Sequence, residues 1–223
     1  AVYMSYGFVP NPVFIWTTGN NGLLGGTLAL LFIAMGLGGW WLDREAWQKQ
    51  GWILRQTGLS PTDFVDQAGM GPSLLNMGLT GALGTAYVLA VGSDLNGPTL
   101  GAIFTIVGFS AFGKHPRNIV PIMLGVFIAS MLKDWSADDP SAVLAALFGT
   151  TLAPIAGRFG WRWGIVAGFV HSSVAQTVGQ LHGGLVLYNN GFAAGLVAAI
   201  LVPVIIALQP VVKPDPGAPP GAD

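Results

Sequence analysis

Seven long stretches of this chain, roughly residues 21–42, 73–92, 98–113, 117–133, 140–157, 162–180 and 189–209, contain almost no charged side chain. A helix that crosses the hydrocarbon core of a bilayer needs about 20 such residues. A soluble domain of ordinary composition has about 25% charged residues, and this chain has 9%. It therefore cannot clothe a water-facing surface in charge, and lipid is the solvent it fits. The expected fold is all-α and integral to the membrane: about seven transmembrane helices over residues 20–210. The third and fourth stretches are short by the length rule. Either they begin inside the flanking loops, or they form a re-entrant pair of half-helices.

Charge placement supports this map. With seven spans, one set of loops holds Arg44, Lys49, Arg55, Lys114, Arg117, Arg158, Arg162 and Lys213; the other holds Lys133 alone, beside Asp134, Asp138 and Asp139. The positive-inside rule puts the basic set in the cytoplasm, with the N-terminus outside and the C-terminus inside a bacterial inner membrane. Residues 1–19 are apolar and aromatic, but Pro10 and Pro12 interrupt any regular helix, so an interfacial segment is expected. They also lack the basic start of a signal peptide. Residues 211–223 form a Pro/Gly-rich tail without expected regular structure. Net charge is near zero, which argues against nucleic acid as a partner and leaves membrane lipids. The absence of cysteine removes disulfide and thiolate chemistry.

Three signatures bear on packing. Gly149 and Gly157, Gly164 and Gly168, and Gly191 and Gly195 stand at four-residue steps or multiples of them, the spacing that lets membrane helices approach closely. "NNGLLGG", "NMGLTGA" and "NNGFAAG" place Asn and Gly just inside three of the spans. An offset of 43 lays Gly125 on Gly168 and Ser130 on Ser173, so the third-and-fourth and fifth-and-sixth stretches read as an internal repeat or as chance likeness between Gly/Ala-rich helices. In the loop before the second stretch, Ser60, Pro61 and Asp63 read as the start of a short interfacial helix.

Chemistry-bearing residues are few. His171 lies well inside a span, with Ser172, Gln176 and Gln180 at helical spacing; an intramembrane ionisable group points to function, although a neutral histidine bonded to a neighbouring helix is the plain alternative. "GFSAFGKHPRN" at 108–118 brings Lys114, His115 and Arg117 into a nearly uncharged region. As a topology element, Gly113 ends one helix, the cations hold a cytoplasmic turn and Asn118 caps the next helix. As a site, the same cations and the helix end would attract an anion or a carbonyl oxygen. No metal-ligand spacing, nucleophile elbow, phosphate loop or intramembrane acid pair is present, so neither a metal nor catalysis is expected.

Four ordered blocks, "TDFVDQAGMGPSLLNMGLTG", "GFSAFGKHPRNIVPIMLGV", "ALFGTTLAPI" and "LHGGLVLYNNGFAAGLVAA", resemble the signature blocks of a bacterial family of multispanning membrane proteins that carries only a domain-of-unknown-function label. The resemblance covers about residues 60–200. It implies roles for Gly108, Phe109, Phe112, Gly113, Lys114, Asn118, Ile119 and Pro121, and for Leu187, Tyr188, Asn189, Gly191 and Phe192. It also implies longer relatives with two related halves, so that a pathway in this chain would need a homo-oligomer or a partner membrane subunit. The Asn-Gly steps are similar in style to urea-transporter-like channels. The resulting expectation is a transporter or channel-like protein for a small polar solute, with Asn76, Lys114, Asn118, His171, Gln176 and Asn190 on its pathway and no required cofactor. The alternative is a non-catalytic subunit of a membrane complex that holds pigment or lipid.

Overall fold

In the computed structural model the described residues are 16–17, 19–59, 62–178 and 186–208. They form helices with no β-strand; the one isolated bridge joins Thr17 to Asn96. In chain order these are α1 (Asn21–Leu42), α2 (Ala46–Ile53), α3 (Phe64–Ala68), α4 (Met70–Ala90), α5 (Gly97–Phe109), α6 (Pro116–Leu132), α7 (Pro140–Gly149), α8 (Ala153–Phe159), α9 (Trp161–Val178) and α10 (Val186–Leu208). A 3-10 turn, Thr150–Leu152, joins α7 to α8.

Within the described residues each of the seven apolar stretches is mainly helical. Four helices are long and apolar enough to cross a membrane: Asn21–Leu42, Met70–Ala90, Pro140–Phe159 and Asn189–Leu208. The third and fourth stretches become shorter apolar helices, as their length implied. The tail and nearly all of the N-terminal segment lie outside the described residues, as do Gln180, Ser60 and Pro61. The interfacial helix starts later than expected. Asp63 is its N-cap, accepting from the amides of Val65 and Asp66. An aspartate can satisfy two orphan amides at once, which sets the start at Phe64.

Glycine sets how the helices meet. α1 packs antiparallel on α4, where a Cβ at Gly78 would stand 2.7 Å from the Phe32 carbonyl oxygen. α6 and α9 run parallel and make a reciprocal contact. A Cβ at Gly125 would collide with the Ile165 carbonyl oxygen, and one at Gly168 with that of Ile122. Ile122 and Ile165 are separated by the same offset of 43 as the two glycines. Gly164 meets Pro121 and Ala156, Gly157 meets the Thr57 backbone, and Gly149 meets His171. Gly191 and Gly195 depart from the packing expectation: both are exposed, and nothing lies within 4 Å of a Cβ placed at either. α10 makes its contact through Ala193, Ala194 and Val197, which are buried. The reason is helical phase, since α10 is apolar on every side and spacing alone does not select the inward stripe.

Two substitutions separate these classes of glycine. Gly168→Leu must push α6 and α9 apart and should cost about 3 kcal/mol of unfolding free energy in detergent. Gly191→Ala should change stability by no more than about 1 kcal/mol, because it adds a methyl group to open space.

Candidate functional site

The connection between α5 and α6 is not a surface loop. Ser110, Ala111, Lys114, His115 and Asn118 are all buried, and only Phe112 and Arg117 of residues 110–118 are exposed. A buried turn carries backbone amides and carbonyls that must find partners. The amides of Ser110, Ala111, Phe112 and Lys114 bond back to carbonyls at the end of α5, and groups from other segments take the carbonyls of the turn. The Asn76 amide, two turns into α4, donates to the carbonyls of Ser110 (2.7 Å) and Lys114 (2.8 Å). Gln50 on α2 donates to the Asn76 Oδ1 at 3.0 Å and so fixes the amide orientation. The Phe64 amide donates to the Ala111 carbonyl at 2.9 Å.

Asn118 works from the other side. It stands at the third position of α6 rather than at the cap. Its Oδ1 accepts from the His115 amide (2.9 Å), and its Nδ2 donates to the Gly113 carbonyl (2.9 Å). His115 is the N-cap, because Pro116 begins the helix. α5 likewise stops at Phe109, earlier than Gly113. Gly113 sits at φ +106 in the last part of the turn, where it meets Gly58 at φ +76; a Cβ on Gly58 would lie 2.7 Å from the Gly113 carbonyl oxygen. The strand of chain before α3 therefore crosses the hairpin tip glycine to glycine, and both positions use backbone freedom that only glycine has.

His115 closes this side of the turn. Its Nε2 lies 3.0 Å from the Gln56 carbonyl, which requires the hydrogen on Nε2. Lys114 points the other way. Its Nζ donates to Thr150 Oγ1 at 2.9 Å and lies 5.1 Å from the Phe109 ring centroid. Thr150 opens the 3-10 turn midway along the Pro140–Phe159 span, roughly 15 Å from either end at 1.5 Å per residue. No carboxylate compensates Lys114: the one salt bridge among the described residues joins Lys49 to Asp43, in the connection after α1.

Next to Thr150, the Cβ position of Gly149 is 2.7 Å from His171 Cδ2. His171 is fully buried and its Nε2 lies 3.1 Å from Asn190 Oδ1. The structure thus gathers Asn76, Lys114 and Asn118 into one cluster and pairs His171 with Asn190, with residues 149–150 between the two groups. Gln176 is not part of either. It is partly exposed and donates to Ser141 Oγ at 3.0 Å. Sequence reasoning missed Gln50 and Thr150. Thr150 sits in the quoted "ALFGTTLAPI" block, whereas Gln50 stands in a polar connection where nothing marks it. Among the described residues no group of three His, Asp, Glu or Cys is arranged to hold a metal.

This is an all-α protein whose long apolar helices are those of a membrane protein, with a buried helical hairpin at its centre. The chain belongs to the family described as Protein of unknown function (DUF1576), which matches residues 42–207. No curated protein matches it, and no solved structure matches it. The match includes Gln50, Asn76, the hairpin, Thr150, His171 and Asn190.

The two central side chains should behave oppositely when removed. Asn76→Ala leaves two turn carbonyls and the Gln50 amide without partners and should lower unfolding free energy by roughly 3 kcal/mol. Lys114→Met removes a poorly compensated buried charge and should leave the melting temperature in detergent unchanged or higher.

Proposed function

We propose that this protein is a polytopic membrane transporter or channel-like protein for a small polar solute. The observation that supports this most is the meeting of the α5–α6 hairpin tip with the broken helix α7–α8, where Lys114 reaches Thr150 at mid-span. Irregular backbone at membrane depth is tolerated where protein buries it or where it lines a cavity. Broken helices near the midplane are a recurrent way of building a solute site. A protein with only a structural task has no need of an uncompensated lysine there.

In this reading the α5–α6 hairpin reaches in from the side on which residues 93–96 and 133–139 lie, and α6 begins level with α9, since Gly164 meets Pro121. Counted as two crossings or as none, the pair leaves the other loops on the sides that seven full spans would give them. Residues 43–69 face the cytoplasm, and residues 93–96 and 133–139 face out. The bond from the Gly97 amide to the Trp16 carbonyl (3.0 Å) ties the end of the N-terminal segment to the outer side, in keeping with an external N-terminus. The parallel α6 and α9, with their reciprocal glycine contact at a 43-residue offset, favour an origin in duplication. The exposed Gly191 and Gly195 leave a face of α10 free for lipid or for a second copy.

Purified protein in proteoliposomes, challenged with outward gradients of small polar solutes, tests the reading. Wild-type vesicles should show saturable flux, and Lys114→Ala should abolish it while the protein still elutes as a folded species. Normal flux in Lys114→Ala would remove Lys114 from the pathway. Stoichiometric co-purification of another chain from native membranes, with no flux, would favour a subunit role. The absence of cysteine makes orientation simple to check: Gln48→Cys should react with an impermeant maleimide only from the cytoplasmic side, and Ser136→Cys only from outside.

A further inference from the structure

The charges inside the bundle are all of one sign. Each of the eight described acidic residues, from Asp43 to Asp139, lies in a connection or in the short α3; α1 and α4–α10 carry none. Lys114, His115 and His171 are buried titratable groups, His115 being turned away to the Gln56 carbonyl, and Lys133 is half-buried at the end of α6. Lys114, His171 and Lys133 are linked in space. Lys114 bonds Thr150, and the neighbouring Gly149 touches His171. Two residues beyond His171, Ser173 accepts a hydrogen bond from Lys133 Nζ. Lys133 folds back from the far end of α6, its Nζ 4.5 Å from the Phe169 ring centroid. Between them, Ser172 is fully buried and its hydroxyl has no partner among the described residues.

We infer that this seam is an anion path, and that the solute is a small monovalent anion whose charge is met by the Lys114 ammonium. The inference rests on the transport reading above and names its substrate class. An ammonium has three donors, and Lys114 uses one, on Thr150. A buried charge without a partner is strongly unfavourable, and an anion entering here supplies the missing counter-charge. The start of α6 lies directly after Lys114, so its positive end adds to the attraction instead of opposing it. Among the described residues no carboxylate pairs with Lys114 or His171, while Asp134, Asp138 and Asp139 stand beside Lys133 at the outer end, so the attraction for an anion is concentrated at Lys114. The Ser172 hydroxyl, buried next to His171 in sequence and without a partner among the described residues, is a further donor.

The experiment compares solute classes in one preparation. Proteoliposomes of the full chain are loaded with chloride, nitrate or acetate, and efflux is followed with valinomycin and potassium setting the membrane potential. Urea and glycerol, followed by light scattering, serve as neutral solutes, and rubidium without valinomycin as the cation. The expected result is anion efflux that follows the potential. Lys114→Gln should lower it roughly tenfold or more, the loss expected for one charge-assisted hydrogen bond, while Lys114→Arg should keep part of it. Lys133→Gln should also slow it, which keeps the test open if Lys114→Gln does not fold. Flux of urea, glycerol or rubidium without anion flux would overturn the anion assignment and leave the transport reading standing. No flux of any probe would overturn both. Anion flux unchanged in both folded lysine-to-glutamine variants would also overturn the seam.

Discussion

Everything at the centre of this molecule depends on a turn of backbone that has been taken out of water. The amides of Ser110, Ala111, Phe112 and Lys114 bond back to carbonyls at the end of α5, but the carbonyls of the turn have no such partner, and an unpaired buried peptide group costs about 1–3 kcal/mol. The chain answers with two asparagines that reach the turn from opposite sides. Asn76 holds the carbonyls of Ser110 and Lys114, and Asn118 bridges the His115 amide and the Gly113 carbonyl. The Phe64 amide takes Ala111. Because α4, the chain before α3 and the start of α6 all contribute, the turn cannot shift without breaking bonds in several elements together. This is what gives Lys114 a defined position.

That position has an electrostatic consequence. The hairpin carries the ammonium past the end of α5 to the middle of the Pro140–Phe159 span, where the helix is interrupted. Thr150 offers one oxygen. In a low-dielectric interior this is a weak answer to a full charge. His115, one residue on, is turned to the Gln56 carbonyl, so it neither pairs with Lys114 nor competes with it. In the anion proposal the guest would stand beside Gly149, where the absence of a side chain lets His171 approach.

Packing follows a separate rule. α6 and α9 touch backbone to side-chain-free carbon at Gly125 and Gly168, and α1 and α4 do so at Gly78. Between apolar helices dispersion and close fit hold the pair, so each missing Cβ matters more than the apolar character of its neighbours. Gly191 and Gly195 have the same spacing but face outward. Four-residue spacing places two glycines on one stripe of a helix; it does not say which way the stripe faces.

The amino-acid sequence by itself determined the class of this protein. Uncharged stretches of near-bilayer length, a scarcity of charge and the ordered motif blocks led to an all-α bundle, to short third and fourth helices, and to Asn76, Lys114, Asn118, His171 and Asn190 as residues of interest. These properties are local or compositional, and a linear chain displays them directly. What only the tertiary structure decided is which residues meet. Lys114 reads equally well as a cytoplasmic topology marker until the bonds from Asn76 and Thr150 show it drawn inside. Gln50 carries no mark in the sequence, because its role is to orient Asn76 from another helix. Gln176 shares the helical stripe of Ser172 by spacing, yet it is partly exposed and bonded to Ser141. Burial and partnership arise from contacts between distant segments, and helical periodicity carries no information about them.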